Sequence, residues 1–214
     1  MIDQRFQEIV VGYYKIFEEM WGINQEKALM LGAAGDVLWE AEVLEYGLDA
    51  YRTSVVLPIR NAYWRCSSLP ILCNYLRQFP IEEPILDYGC GVGTVSAWLA
   101  NEQGYDTYAY ELPGIQRKVL KAAGDRFGFT VLDDPTQIKP KTVLCINVLE
   151  HIEHPLPLVQ SWFDNGAKYV YANFAYSDQA DHIGSHEEGR VIEKMLRERG
   201  TWVNPQNDDP RFSP

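Results

Sequence analysis

The densest chemistry in this chain is carried by acids, glycines and histidines between residues 85 and 155. The run Ile85-Leu86-Asp87-Tyr88-Gly89-Cys90-Gly91-Val92-Gly93-Thr94 takes an apolar stretch into an acid and then into alternate glycines. Alternate glycines let the backbone turn sharply and let a ligand approach with no Cβ in the way. A helix N-terminus behind such a loop ordinarily welcomes phosphate. Asp87 argues otherwise here, because a carboxylate repels pyrophosphate and favours a ligand that carries an ammonium. Further on, Tyr108-Ala109-Tyr110 ends in Glu111, an acid 18 residues after Gly93 and able to accept both hydroxyls of a ribose.

Two more stretches hold reactive side chains. Asn147-Val148-Leu149-Glu150-His151-Ile152-Glu153-His154-Pro155 follows an apolar run, and Asp181-His182-Ile183-Gly184-Ser185-His186-Glu187-Glu188 follows the next one. His151, His154, His182 and His186 are the candidate general bases, since imidazole titrates in the useful range. His151 and His182 are expected nearest the mouth of a site. Ser185 with Glu188 three residues on also reads as a capping box for a last helix.

The run D-Y-G-C-G-V-G resembles the first motif of the class I S-adenosylmethionine-dependent methyltransferases, and Val148-Leu149-Glu150-His151-Ile152 resembles the stretch that follows their fourth strand. The resemblance spans about residues 65–203. It implies that Gly89, Gly91 and Gly93 hold the methionine part of the cofactor, with Asp87 at its amino end and Glu111 on the ribose. It also implies cofactor contacts from Leu112, Asn147 and Val148, and from Asp133 or Asp134 at the adenine amino group. Some members bind a divalent metal through E-x-x-E-H at this place. Here Asn147 stands where the first carboxylate would be, so a site of Glu150, His151 and one of His182 or His186 lacks one acid.

The elements that must position these residues are legible from periodicity. Pro84–Tyr88, 106–111, 129–132, 142–148 and 168–174 read as short apolar strands. The stretches 92–102, 115–126 and 155–164 between them read as helices. Such alternation predicts an α/β fold, a Rossmann-like doubly wound and mostly parallel sheet. Ligands in these sheets bind beyond the carboxyl ends of the strands, where strand order reverses. Every motif above sits at such an end.

Residues 1–80 read instead as helices and are rich in aromatics. Phe6, Ile9, Val10, Tyr13, Phe17 and Met20 form one amphipathic stripe. Asn24 caps a second helix that runs to Leu48, where Gly32 and Gly35 either weaken the helix or permit close packing. A third segment starts near Pro58 and restarts at Ser68-Leu69-Pro70 as a short helix ending at Phe79-Pro80. The expected organisation is a helical cap or lid over 1–80, its last helix part of the core fold, and a cofactor-binding core over 81–214. A helix over 185–199 ends at Gly200, and Thr201-Trp202-Val203 opens a sixth strand. Too little chain follows for a seventh, so the C-terminal sheet edge is expected to be shortened and open to cover by the tail or by a second copy.

Composition bounds the function. The chain has 214 residues, 46% of them hydrophobic, and a formal charge of −11 with no Lys/Arg tract. Nucleic-acid partners are disfavoured, since that affinity needs a basic face. Cys66, Cys73, Cys90 and Cys145 lack the spacing of a disulfide frame and read as reduced thiols. With no signal segment and no run long enough for a membrane span, a cytoplasmic location is expected. The reading is an S-adenosylmethionine-dependent methyltransferase acting on a small molecule. The alternatives are a protein or RNA end as acceptor, with or without a metal, and a non-catalytic cofactor-binding protein of the same fold.

Overall fold

The computed structural model describes residues 4–46, 49–173 and 186–199. A five-stranded sheet carries β1 (Ile85–Tyr88), β2 (Thr107–Tyr110), β3 (Thr130–Val131), β4 (Thr142–Ile146) and β5 (Tyr169–Asn173). Its order is β3-β2-β1-β4-β5, and every pairing is parallel. Among the described residues the sheet is preceded by α1 (Gln4–Trp21), α2 (Gln25–Ala33), α3 (Gly35–Tyr46), α4 (Ala50–Thr53) and α5 (Val56–Leu76). The helices that connect or flank the strands are α6 (Thr94–Gln103), α7 (Ile115–Phe127), α8 (Pro155–Asp164) and α9 (His186–Glu198). Strand order reverses between β1 and β4, so the loops that leave those two strands form the crevice expected to take a ligand.

Alternate residues along the strands serve opposite faces. Ile85, Ala109 and Leu144 enter one core with α6 and α7. Leu86, Val143 and Cys145 enter a second core with Val159 and Trp162 of α8 and Ile192 and Leu196 of α9. A strand buried on both faces reads as a continuous apolar run, and that is why β1 and β4 were legible.

Phe6, Ile9, Tyr13, Ile16 and Phe17 bury the inner face of α1 in the first core. Gly12 lets α1 lie directly on α7, since a Cβ there would come within 2.4 Å of the Phe127 ring. Asn24 caps α2 as expected, accepting from the Lys27 amide at 3.0 Å.

Two expectations are corrected. The helix expected to run from Asn24 to Leu48 is divided at Ala34 into α2 and α3. Gly32 and Gly35 allow both pieces to press against α5, where a Cβ would meet Tyr63 at 2.6 Å and Arg60 at 2.8 Å. Close packing therefore decides the role of these glycines. The second correction is α5, which passes through Pro70 without restarting at Ser68. Proline removes one helical hydrogen bond. Leu69, Leu72, Cys73 and Leu76 bury the helix on both sides of it, and the Ser67 and Ser68 hydroxyls donate to the Trp64 carbonyl at 2.8 and 2.9 Å. Tertiary burial outweighs the local break. The expected strand at 201–203 lies outside the described residues.

Candidate cofactor site

The carboxyl ends of β1, β2 and β4 bring Asp87, Glu111 and Asn147 to one rim. Asp87 pairs in register with Leu144 of β4 and Ala109 of β2, and its side chain is 3% exposed. The Ser96 hydroxyl donates to Asp87 Oδ2 at 2.6 Å. Burial pushes the Asp87 carboxyl up to about 6, against the opposing pull of Ser96 and the Arg65 guanidinium. Arg65 on α5 is itself half-buried and donates from Nη2 to the Ile146 carbonyl at the end of β4, at 3.2 Å.

Beyond Asp87 the glycines do three different jobs. A Cβ at Gly89 would strike Val148 at 2.6 Å, so the loops after β1 and β4 touch there. A Cβ at Gly93 would strike Leu120 at 2.5 Å, so the third glycine lets α6 begin close against α7 and Phe129. Gly91 has φ +61°, and a Cβ there would clash with nothing: it would meet Gln116 Oε1 at 3.5 Å and Asn61 Nδ2 at 3.7 Å, ordinary contact distances. With no side chain of its own, this glycine lets a ligand approach the loop backbone beside those two amides. Cys90, between the glycines, is kept as a thiol by burial and by the carboxylates of Asp87 and Glu111.

Glu111 leans toward the loop. Gly91 N donates to its Oε2 at 2.7 Å and Leu112 N to its Oε1 at 2.9 Å. Burial raises its pKa, and the two backbone donors oppose that rise. Each carboxylate oxygen keeps a further lone pair for a ligand. From the other side, α1 braces the loop: Tyr13 is 1% exposed, and its hydroxyl donates to the Val92 carbonyl at 2.7 Å.

At the β3 end the two adjacent acids part. Asp133 pairs with Arg117 at 2.6 Å and Lys121 at 3.5 Å, lining a shallow cleft of about 280 Å³ with Pro113, Gly114 and Lys118. Asp134 turns away and accepts from Thr136 N at 2.8 Å. Leu112 is 63% exposed at the same edge.

After β4 the chain turns at Asn147, whose φ of +55° is the left-handed conformation asparagine tolerates better than most residues. Val148 then meets Gly89, and Glu150 is buried at 3% exposure. The His151 ring lies 5.9 Å from that of Tyr51 on α4, which stands edge-on to Trp39 of α3 at 4.8 Å. His154 turns from the rim and meets Glu188 Oε1 of α9 at 3.1 Å, while Glu188 Oε2 accepts from Leu156 N at the start of α8. His182 lies outside the described residues, as does the side chain of His186, which opens α9. Among the described residues no three His, Cys, Asp or Glu side chains converge as a metal site. Among them, too, no helix is long and apolar enough to cross a membrane, and all four cysteines are free.

Asn61, Arg65, Ser96 and Gln116 went unnoticed in the sequence. Asn61 and Arg65 do stand four apart on one helix face, a spacing that could have flagged them.

A family model described as a methyltransferase domain matches residues 66–209. No curated protein matches the sequence significantly. Among solved structures, the plantazolicin methyltransferase BpumL with a monoazolic desmethylPZN analogue and SAH is similar at 13% identity. That match has a TM-score of 0.46 over 92% of this chain and 79% of that one. A mutant of MtNAS in complex with S-adenosylmethionine is similar at 12% identity and a TM-score of 0.40, over 73% of this chain and 68% of that one. WbdD with a kinase inhibitor is similar at 17% identity and a TM-score of 0.37, over 52% of this chain and 29% of that one.

Proposed function

Since the chain belongs to the methyltransferase-domain family, we propose that it is an S-adenosylmethionine-dependent methyltransferase acting on a small-molecule acceptor. The observation that carries the reading is the uncrowded glycine backbone at Gly91, flanked by the Asp87 and Glu111 carboxylates. A Cβ there would fill the space that a cofactor needs, and the acids suit a ligand bearing an ammonium and two hydroxyls rather than a pyrophosphate.

Asp87 receives the ammonium, with Ser96 and Arg65 holding its carboxylate in place. Glu111, fixed by two backbone donors, presents its remaining lone pairs to the ribose. Leu112 and Val148 cover the adenine, and Asp133 stands at its edge. When bound, the cofactor supplies a methyl group already activated on a sulfonium, so the protein's part is alignment and, where needed, a proton acceptor. His151 is the base in this reading. Tyr51 stands beside its ring, backed by Trp39, and α1 to α5 form the lid that separates the acceptor from water. His182, on the loop after β5, is the alternative base.

Calorimetric titration with S-adenosylhomocysteine tests the reading, with NAD⁺ as the control ligand. Micromolar binding of the first and none of the second is expected. No detectable heat at high micromolar S-adenosylhomocysteine contradicts it.

A further inference from the structure

Gln116, the second residue of α7, is a polar side chain only 6% exposed. Its one hydrogen-bond partner among the described residues is Asn61, whose Nδ2 donates to Gln116 Oε1 at 2.6 Å. Gln116 Oε1 and Asn61 Nδ2 are also the atoms nearest the Cβ position of Gly91, at 3.5 and 3.7 Å. Gly91 also gives its own amide to Glu111. One glycine thus joins an acid that can only accept and a carboxamide whose Nε2 donors are unused among the described residues. The nitrogen of this carboxamide is not sealed in the interior, so a ligand lying on the loop can reach it.

A sugar hydroxyl both donates and accepts. Set against Glu111 alone, it spends its proton and leaves its oxygen without a donor. We propose that Gln116 donates from Nε2 to a ribose hydroxyl of the cofactor, so that Glu111 and Gln116 together read the sugar beside Gly91. Asn61 is a positioning residue in this arrangement. By holding Oε1 it commits the other edge of the carboxamide to the ligand, across the gap between α5 and α7. The inference rests on the S-adenosylmethionine reading above and adds to it a residue that determines sugar specificity.

The test is calorimetry on the full chain with S-adenosylhomocysteine and its 2′-deoxy and 3′-deoxy analogues. Gln116→Met keeps the length of the side chain and removes its donors. It should weaken S-adenosylhomocysteine about tenfold, as for a hydrogen bond lost from a desolvated site. The penalty for removing one of the two hydroxyls should also shrink to near unity, since that hydroxyl then has less to lose. Asn61→Ala should move both quantities the same way by a smaller factor, and it stands in if Gln116→Met fails to fold. Unchanged affinity in both variants overturns the proposal, and so does an equal loss for all three ligands with discrimination intact. If the wild-type chain binds none of the three, the methyltransferase reading itself fails, a result distinct from either of these.

Discussion

The amide of Gly91 donates to the Glu111 carboxylate at 2.7 Å, tying the glycine loop after β1 to the acid that ends β2. A single contact therefore fixes both the place where a cofactor is proposed to enter and the group proposed to hold its sugar. Replacing the glycines separates these roles. Gly91→Ala puts a methyl in ordinary contact with Gln116 and Asn61, without a clash, and costs about 1–2 kcal/mol for the left-handed backbone. It should leave the fold intact while weakening S-adenosylhomocysteine at least about tenfold, since the methyl takes the ligand's place. Gly93→Ala drives its Cβ to 2.5 Å from Leu120 and should lower stability by more, with about 3 kcal/mol expected from strain and overpacking together. Denaturant unfolding and calorimetry on both variants check the contrast.

Asp87 makes ligand affinity and stability depend on pH in opposite directions. Burial holds its carboxyl at about 6, above the ordinary range. Between about 4 and 6 the native chain therefore binds the proton more tightly than the unfolded chain does, and this group's contribution to stability falls as pH rises through that window. An ammonium ligand needs the carboxylate, so its affinity falls as pH drops below about 6, approaching tenfold per pH unit. Asp87→Asn should bind weakly with a flat profile. A flat wild-type profile between pH 5 and 7 contradicts this assignment (both pH values lie about one unit either side of the titration).

Arg65 should control the position of that titration. Its guanidinium is one of the groups that keep the Asp87 carboxyl from rising further. Arg65→Met removes the cation, keeps most of the apolar stem and frees the Ile146 carbonyl. The midpoint of the pH–affinity curve should move up, with weaker binding at neutral pH. An unmoved midpoint excludes the coupling.

Tyr13 tests whether the helical cap supports the loop. Tyr13→Phe removes the hydrogen bond that joins α1 to the glycine loop and leaves the Val92 carbonyl without that donor. A loss of about 1–3 kcal/mol is expected for a buried group left unsatisfied. Equilibrium unfolding in urea measures it. A loss below about 0.5 kcal/mol, the scatter of an ordinary surface substitution, speaks against a bracing role.

The glycine loop and the sheet were legible in the sequence because both are local patterns. Asp87 and three alternate glycines need no tertiary context to be read, and neither do the apolar runs of β1 and β4, buried on two faces. Pro70 misled because a local rule about proline was set against burial of Leu69, Leu72 and Cys73, and burial prevailed. The break at Ala34 was hidden for a similar reason: Gly32 and Gly35 are compatible with a weakened helix or with close packing, and only the contacts with Tyr63 and Arg60 decide between the two. Asn61, Arg65, Ser96 and Gln116 carry no motif. Their importance arises where α5, α6 and α7 converge on one loop, and a sequence read along its length does not display that convergence. Asp133 and Asp134 were indistinguishable until Thr136 drew one of them away.

Diffraction from the protein co-crystallised with S-adenosylhomocysteine would place the cofactor outright. Ligand density is expected over Gly91, with the amino group at Asp87 and the ribose hydroxyls between Glu111 and Gln116. Density confined to the cleft lined by Lys118 and Lys121, or a glycine loop left bare at saturating ligand, would contradict it.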